Sequence, residues 1–128
     1  MYSVDRIRDG RSFTTRLTGA LDDSFDADQG YTGSLQYVYI HQDPATGNYG
    51  FEWSNQKDNL DAIPRTRPVV SNLPFIGTAT DPDNLGMTKS SGLKLKEGTA
   101  AEIHNAIFIY SYNAGVELTE EATEIVAD

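Results

Sequence analysis

Apolar and charged positions alternate in a motif that recurs along the chain. Gly50-Phe51-Glu52-Trp53, Gly92-Leu93-Lys94-Leu95 and Gly115-Val116-Glu117-Leu118 all read small, apolar, charged, apolar. Successive side chains of a strand point to opposite faces, so Phe51 and Trp53 share a side and Glu52 takes the other. Ser24-Phe25-Asp26-Ala27 is an incomplete fourth copy. A second kind of segment, with an amide near its start, precedes each complete copy: Leu35-Gln36-Tyr37-Val38-Tyr39-Ile40, Ser71-Asn72-Leu73-Pro74-Phe75-Ile76 and His104-Asn105-Ala106-Ile107-Phe108-Ile109. Each unit therefore predicts two short strands. The glycine that opens the second strand suits a tight bend or a positive φ.

Residues 24, 50, 92 and 115 occupy equivalent places, with steps of 26, 42 and 23. Two of these steps match one turn of a parallel β-solenoid, and the long one contains loops at Asn55–Pro68 and Thr78–Ser90, rich in Asp, Asn, Pro and Thr. Two short strands cannot bury an apolar face alone, whereas stacked units share an interior. Gln36, Asn72 and Asn105 would then lie above one another as an amide ladder at a bend. An antiparallel sandwich with similar strands is the competing architecture. Pro74 lacks a ladder donor and calls for a bulge or a solvent-facing position.

The ends depart from the repeat. Tyr2–Arg8, Asp9-Gly10 and Arg11–Thr18 predict a hairpin with a two-residue turn, placed to cover the first rung of a solenoid. Thr119–Asp128 is acidic and reads as a short helix or a frayed tail. The expectation is one all-β domain over 1–128: a hairpin cap at 1–19, coils at 20–118 and an acidic tail at 119–128. The coils form a short right-handed parallel β-helix of about four turns.

Composition narrows the function classes. The 128 residues are 38% apolar with seven Tyr and five Phe, too apolar and aromatic for a disordered chain. Nineteen acidic against ten basic side chains leave a net charge of −9, which opposes binding to nucleic acid phosphates. Absence of cysteine excludes disulfides and thiolate metal sites. No stretch has the order of a signal peptide or the length of a membrane span, so the chain reads as cytoplasmic or as a piece of an exported protein. Arg6, Arg8, Arg11 and Arg16 make the start basic and read as a solvated strand face.

From about Leu21 to Asp128 the sequence resembles a family of bacterial extracellular proteins built on a right-handed parallel β-helix. The residues that carry it are Asp22-Asp23-Ser24-Phe25-Asp26, Gly30-Tyr31-Thr32-Gly33, Gly50-Phe51-Glu52, Pro64–Asn72, Ser91–Ala100 and His104-Asn105. The resemblance implies an exported location, at the cell surface or beyond it. A shorter stretch, Val4–Arg16, looks like a strand pair of acyl-CoA thioesterases of the double hot-dog type, which would imply a helix wrapped by a curved sheet.

Candidate chemistry is sparse. Asp22, Asp23, Asp26 and Asp28 place four carboxylates in seven residues, a donor set suited to calcium, although the spacing is that of neither an EF-hand nor a calcium-binding nonapeptide. A solvated acidic turn competes with it, and melting with and without chelator separates the two. Asp58, Asp61, Arg65 and Arg67 share one loop and are the candidate catalytic set for a polysaccharide-active β-helix; pairing that merely ties the loop down is the alternative. His41 and His104 lack zinc-ligand spacing, and no nucleophile elbow or phosphate loop is present.

Tyr rings stack on sugars while keeping a polar tip. Tyr37, Tyr39, Tyr49, Trp53, Tyr110 and Tyr112 supply this material, with Tyr39 and Trp53 expected inward and Tyr110 and Tyr112 expected as the exposed stacking pair. The functional expectation is a non-enzymatic surface or assembly module that self-associates and binds a glycan, with no cofactor unless calcium. A polysaccharide-active enzyme is the alternative and a thioesterase-like hot-dog protein the second.

Overall fold

The computed structural model describes the chain except residues 1–2, 9–12, 21, 45–47, 79–90 and 128, with backbone only at 3–8, 13–14 and 127. Its strands are β1 (Ser3–Arg8), β2 (Phe13–Thr18), β3 (Phe25–Ala27), β4 (Ser34–Gln36), β5 (Val38–His41), β6 (Phe51–Ser54), β7 (Val69–Ile76), β8 (Ser91–Lys96), β9 (Ala100–Ile109), β10 (Ala114–Leu118) and β11 (Glu124–Ala127). One sheet runs β1-β2-β5-β7-β9-β11 with β4 also on β7, and the other runs β10-β8-β6-β3. Among the described residues every pairing except β1 with β2 is parallel, and no segment is helical. The antiparallel sandwich is thereby excluded.

Register follows the alternating motif. Phe25 faces Phe51, Phe51 faces Leu93, and Leu93 faces Val116, so the four copies stack residue for residue. Their inner positions include Phe51, Trp53, Leu93 and Leu95, all fully buried. Burying each such side chain contributes about 1.5–3 kcal/mol. The outer positions Asp26, Glu52, Lys94 and Glu117 form a charged row. Lys94 pairs with Glu117 at 3.1 Å and Lys96 with Glu52 at 3.0 Å, reducing repulsion across an acidic face.

The glycines at the head of this motif have a different cause from the one expected. Gly50, Gly92 and Gly115 do not take positive φ. A Cβ on Gly50 would lie 2.4 Å from the Phe75 ring and from the Gly92 carbonyl, and one on Gly92 would lie 2.4 Å from the Phe108 ring. Positions 50 and 92 exclude a side chain because inward rings of the other sheet lie against the backbone. A Cβ at Gly115, by contrast, would come no closer than 3.4 Å to Phe108.

Three further expectations change. The bend column is Tyr37, Asn72 and Asn105, with φ of 54°, 57° and 51°, and not Gln36, which pairs one position earlier with Ser71. Tyr39 faces outward and is half-buried, because Ile40, not Tyr39, shares the register of inward Phe75. Thr119–Asp128 is neither helix nor tail throughout: Glu124–Ala127 is β11, parallel to Ala100–Ile103. Pro74 lies within β7 opposite Ile107 with its ring exposed. β1 and β2 pair antiparallel from Ser3–Thr18 to Arg8–Phe13, while the expected Asp9-Gly10 turn lies outside the described residues.

Candidate functional site

Left-handed backbone at successive rungs shapes the site. Asn tolerates this conformation, and Asn72 and Asn105 use it to build a ladder in which Asn105 Nδ2 donates to Asn72 Oδ1 at 2.6 Å. Tyr37 continues the column, its N–H donating to the Ser71 carbonyl at 3.0 Å. A Tyr in this region costs about 1 kcal/mol that an Asn largely avoids. The left-handed residue interrupts the strict in–out alternation, so side chains on both sides of it border an open depression.

That depression is a groove of about 360 Å³. Tyr37, Tyr39, Asn72, Pro74, Asn105 and Ile107 line it, above Val38 and Leu73. Tyr37 is 45% exposed and Ile107 62%, so the groove opens to solvent. None of the described lining residues is charged. Arg16 stands at the margin, its guanidinium 5.8 Å from the centre of the Tyr39 ring. Among the described residues, no ring or cation packs on Tyr37. Chemically the groove offers two phenol rings, two amides that both donate and accept, and an apolar floor.

The residues singled out from sequence lie elsewhere. Tyr110 and Tyr112 are exposed, 65% and 49%, beyond the end of β9 and outside the groove lining. In the loop between β6 and β7, Arg67 bonds to Glu102 Oε1 through Nε at 3.0 Å and Nη2 at 2.7 Å. Arg65 donates to the Gly98 carbonyl at 2.6 Å and to the Ala122 carbonyl, and pairs with Glu124 at 3.5 Å. Asp58 and Asp61 are exposed on that loop, and the bonds of both arginines go to other groups. His104 lies 4.0 Å from Glu102, and His41 is exposed at the end of β5.

Of the four clustered carboxylates, Asp22, Asp26 and Asp28 are exposed. Asp23 accepts the Tyr49 N–H at 2.9 Å. Burial pushes Asp23 up to about 7; the Tyr49 hydrogen bond opposes this, and Glu52, Asp22 and Asp26 add to it. Among the described residues no three His, Asp or Glu side chains are grouped so as to hold a metal ion.

Sequence reasoning had the groove's parts without its shape. From sequence, Asn72 and Asn105 read as a purely structural ladder, and nothing there separates Tyr37 from the other aromatics. The available signal was an Asn at one position of two repeat copies and a Tyr-x-Tyr beside it in the third.

Parallel strands stacked in register, with an interior filled from both sheets, define the parallel β-helix class. The chain belongs to the pectate-lyase-like β-helix domain family, whose model matches residues 14–128. The match begins within β2, so it covers the stacked parallel strands and leaves out β1. No curated protein and no solved structure matches the chain.

Proposed function

We propose that this β-helix is a non-enzymatic binding module that holds a carbohydrate in the groove beside the Tyr37–Asn72–Asn105 column. The observation that carries the reading is the exposed Tyr37 ring, kept in a backbone conformation that suits Asn better and set next to two amides. Aromatic faces take the C–H surface of a sugar ring, and amides satisfy its hydroxyls. The groove volume lies at the lower end of the range for small-ligand sites, enough for a short stretch of glycan. Titration calorimetry against a glycan panel tests this; absence of heat for every member would remove the reading.

The module belongs, in this reading, to an exported bacterial protein and consists of about four right-handed coils, with β1 and β2 covering one end. Self-association is part of the proposal. Exposed Leu118 and Val126 lie on β10 and β11, which are edge strands of the two sheets. Light scattering across a concentration series should show mass rising above the monomer; a constant monomer mass contradicts it. The polysaccharide-active alternative calls for Asp58, Asp61, Arg65 and Arg67 to act on substrate. Unsaturated product after incubation with polyuronates, lost on Arg65→Ala, would favour that alternative.

A further inference from the structure

Building on the carbohydrate reading of the groove, we infer that its ligand is a neutral hexopyranose oligosaccharide and not a uronate or sulfated polymer. The family's description points toward an anionic polymer, and the residues of this groove point away from one. A uronate carries a carboxylate on each unit, and carboxylates are bound most strongly by charge-assisted hydrogen bonds from cations. Among the described residues the lining contains Tyr, Asn, Pro, Ile, Val and Leu, without a Lys, Arg or His.

Among the described residues, the cations other than Arg16 that could take such a role are committed elsewhere. Arg67 is bonded through two nitrogens to Glu102, and Arg65 is held by two backbone carbonyls and Glu124. Lys94 and Lys96 lie on the other sheet, paired with Glu117 and Glu52. Arg16 is the one described cation beside the groove, and its guanidinium lies 5.8 Å from the centre of the Tyr39 ring, itself part of the lining. A net charge of −9 also makes the surroundings repel a polyanion. What the groove does present fits a neutral sugar: the Tyr37 face for its C–H surface and the Asn72–Asn105 amides for its hydroxyls.

The test uses the intact chain, titrated with neutral gluco-, manno- and galacto-oligosaccharides and with oligogalacturonate and a sulfated glycan. Each titration is repeated from low to high salt. At least one neutral oligosaccharide should bind with an affinity that changes less than twofold with salt, and the anionic probes should bind at least tenfold more weakly. Tyr37→Asn, which removes the ring from a backbone that Asn occupies readily, should weaken binding at least tenfold. Asn105→Gly, which keeps the left-handed backbone accessible, should weaken it by a comparable factor. Melting temperatures no lower than the parent's would place both losses in the groove.

Tightest binding to an anionic probe, salt-sensitive and lost with Tyr37→Asn, would overturn the neutral-ligand inference and leave the carbohydrate reading standing. Failure of every probe would remove both.

Discussion

Asn55→Ala should destabilise the protein by about 3 kcal/mol, because one buried side chain holds the loop between β6 and β7. Asn55 is 1% exposed. Its Nδ2 donates to the carbonyls of Leu60 at 3.0 Å and Ala62 at 3.1 Å, and its Oδ1 accepts the Thr66 N–H at 2.9 Å. Thr66 is fully buried, and its Oγ1 accepts the Gly30 N–H at 2.8 Å, so the contact reaches the preceding turn. Removing the amide strands the Thr66 N–H, at about 1–3 kcal/mol, and deprives two carbonyls of a donor, at about 0.5–1.5 kcal/mol each. The partly exposed Leu60 recovers some of this from water.

Domains of this kind are stable by about 5–15 kcal/mol, so the loss lowers Tm by roughly 10 °C. Urea unfolding followed by the fluorescence of Trp53, the sole and fully buried tryptophan, measures it directly. Asn55→Asp keeps the acceptor for Thr66 and turns a carboxylate toward two carbonyl oxygens. It should cost at least as much at pH 7. An Asn55→Ala variant within 0.5 kcal/mol of the parent would refute the assignment and move the loop's anchorage elsewhere.

Gly92→Ala should cost about 1–3 kcal/mol, since its Cβ would meet the Phe108 ring at 2.4 Å and the Gly115 carbonyl at 2.6 Å. Gly115→Ala, whose nearest neighbour would be 3.4 Å away, should lie near neutral, and paired thermal melts separate the two. Tyr37→Asn should gain about 0.5–1 kcal/mol as the left-handed strain is relieved; a fall in Tm would contradict that account. Asp23 has a folded pKa of about 7, above its ordinary value of 3.8, so the folded state holds its proton more tightly. Its contribution to stability is full below about pH 4 and is lost as pH rises through 7. After allowance for solvent screening the change is roughly 1 kcal/mol, and Asp23→Asn should flatten the slope of Tm between pH 5 and 8.

Much of the fold was legible because strand alternation is a local property. The pairs Phe51 and Trp53, Leu93 and Leu95, and Val116 and Leu118 marked one face, and their copies meet in the observed register. The glycines before them were legible as positions but not as causes, since Phe75 and Phe108 come from another part of the chain. Gln36 and Tyr37 show the same boundary. An amide at 36 matched Asn72 and Asn105 in type, yet the packing of Ile40 level with Phe75 moved Tyr37 into the bend. A one-residue difference in register lies outside what side-chain type at a single position specifies.

Residue chemistry along the chain determined that this protein would stack short strands around an apolar interior, carry an acidic surface and lack cysteine chemistry. Tertiary structure alone decided which aromatics are core and which face solvent. It also decided that Arg65 and Arg67 bind glutamates from distant rungs and that Tyr37, Asn72 and Asn105 share one groove. The physical reason is separation: Tyr37, Asn72 and Asn105 lie more than 30 residues apart in sequence, and only the stacking of rungs brings their side chains together.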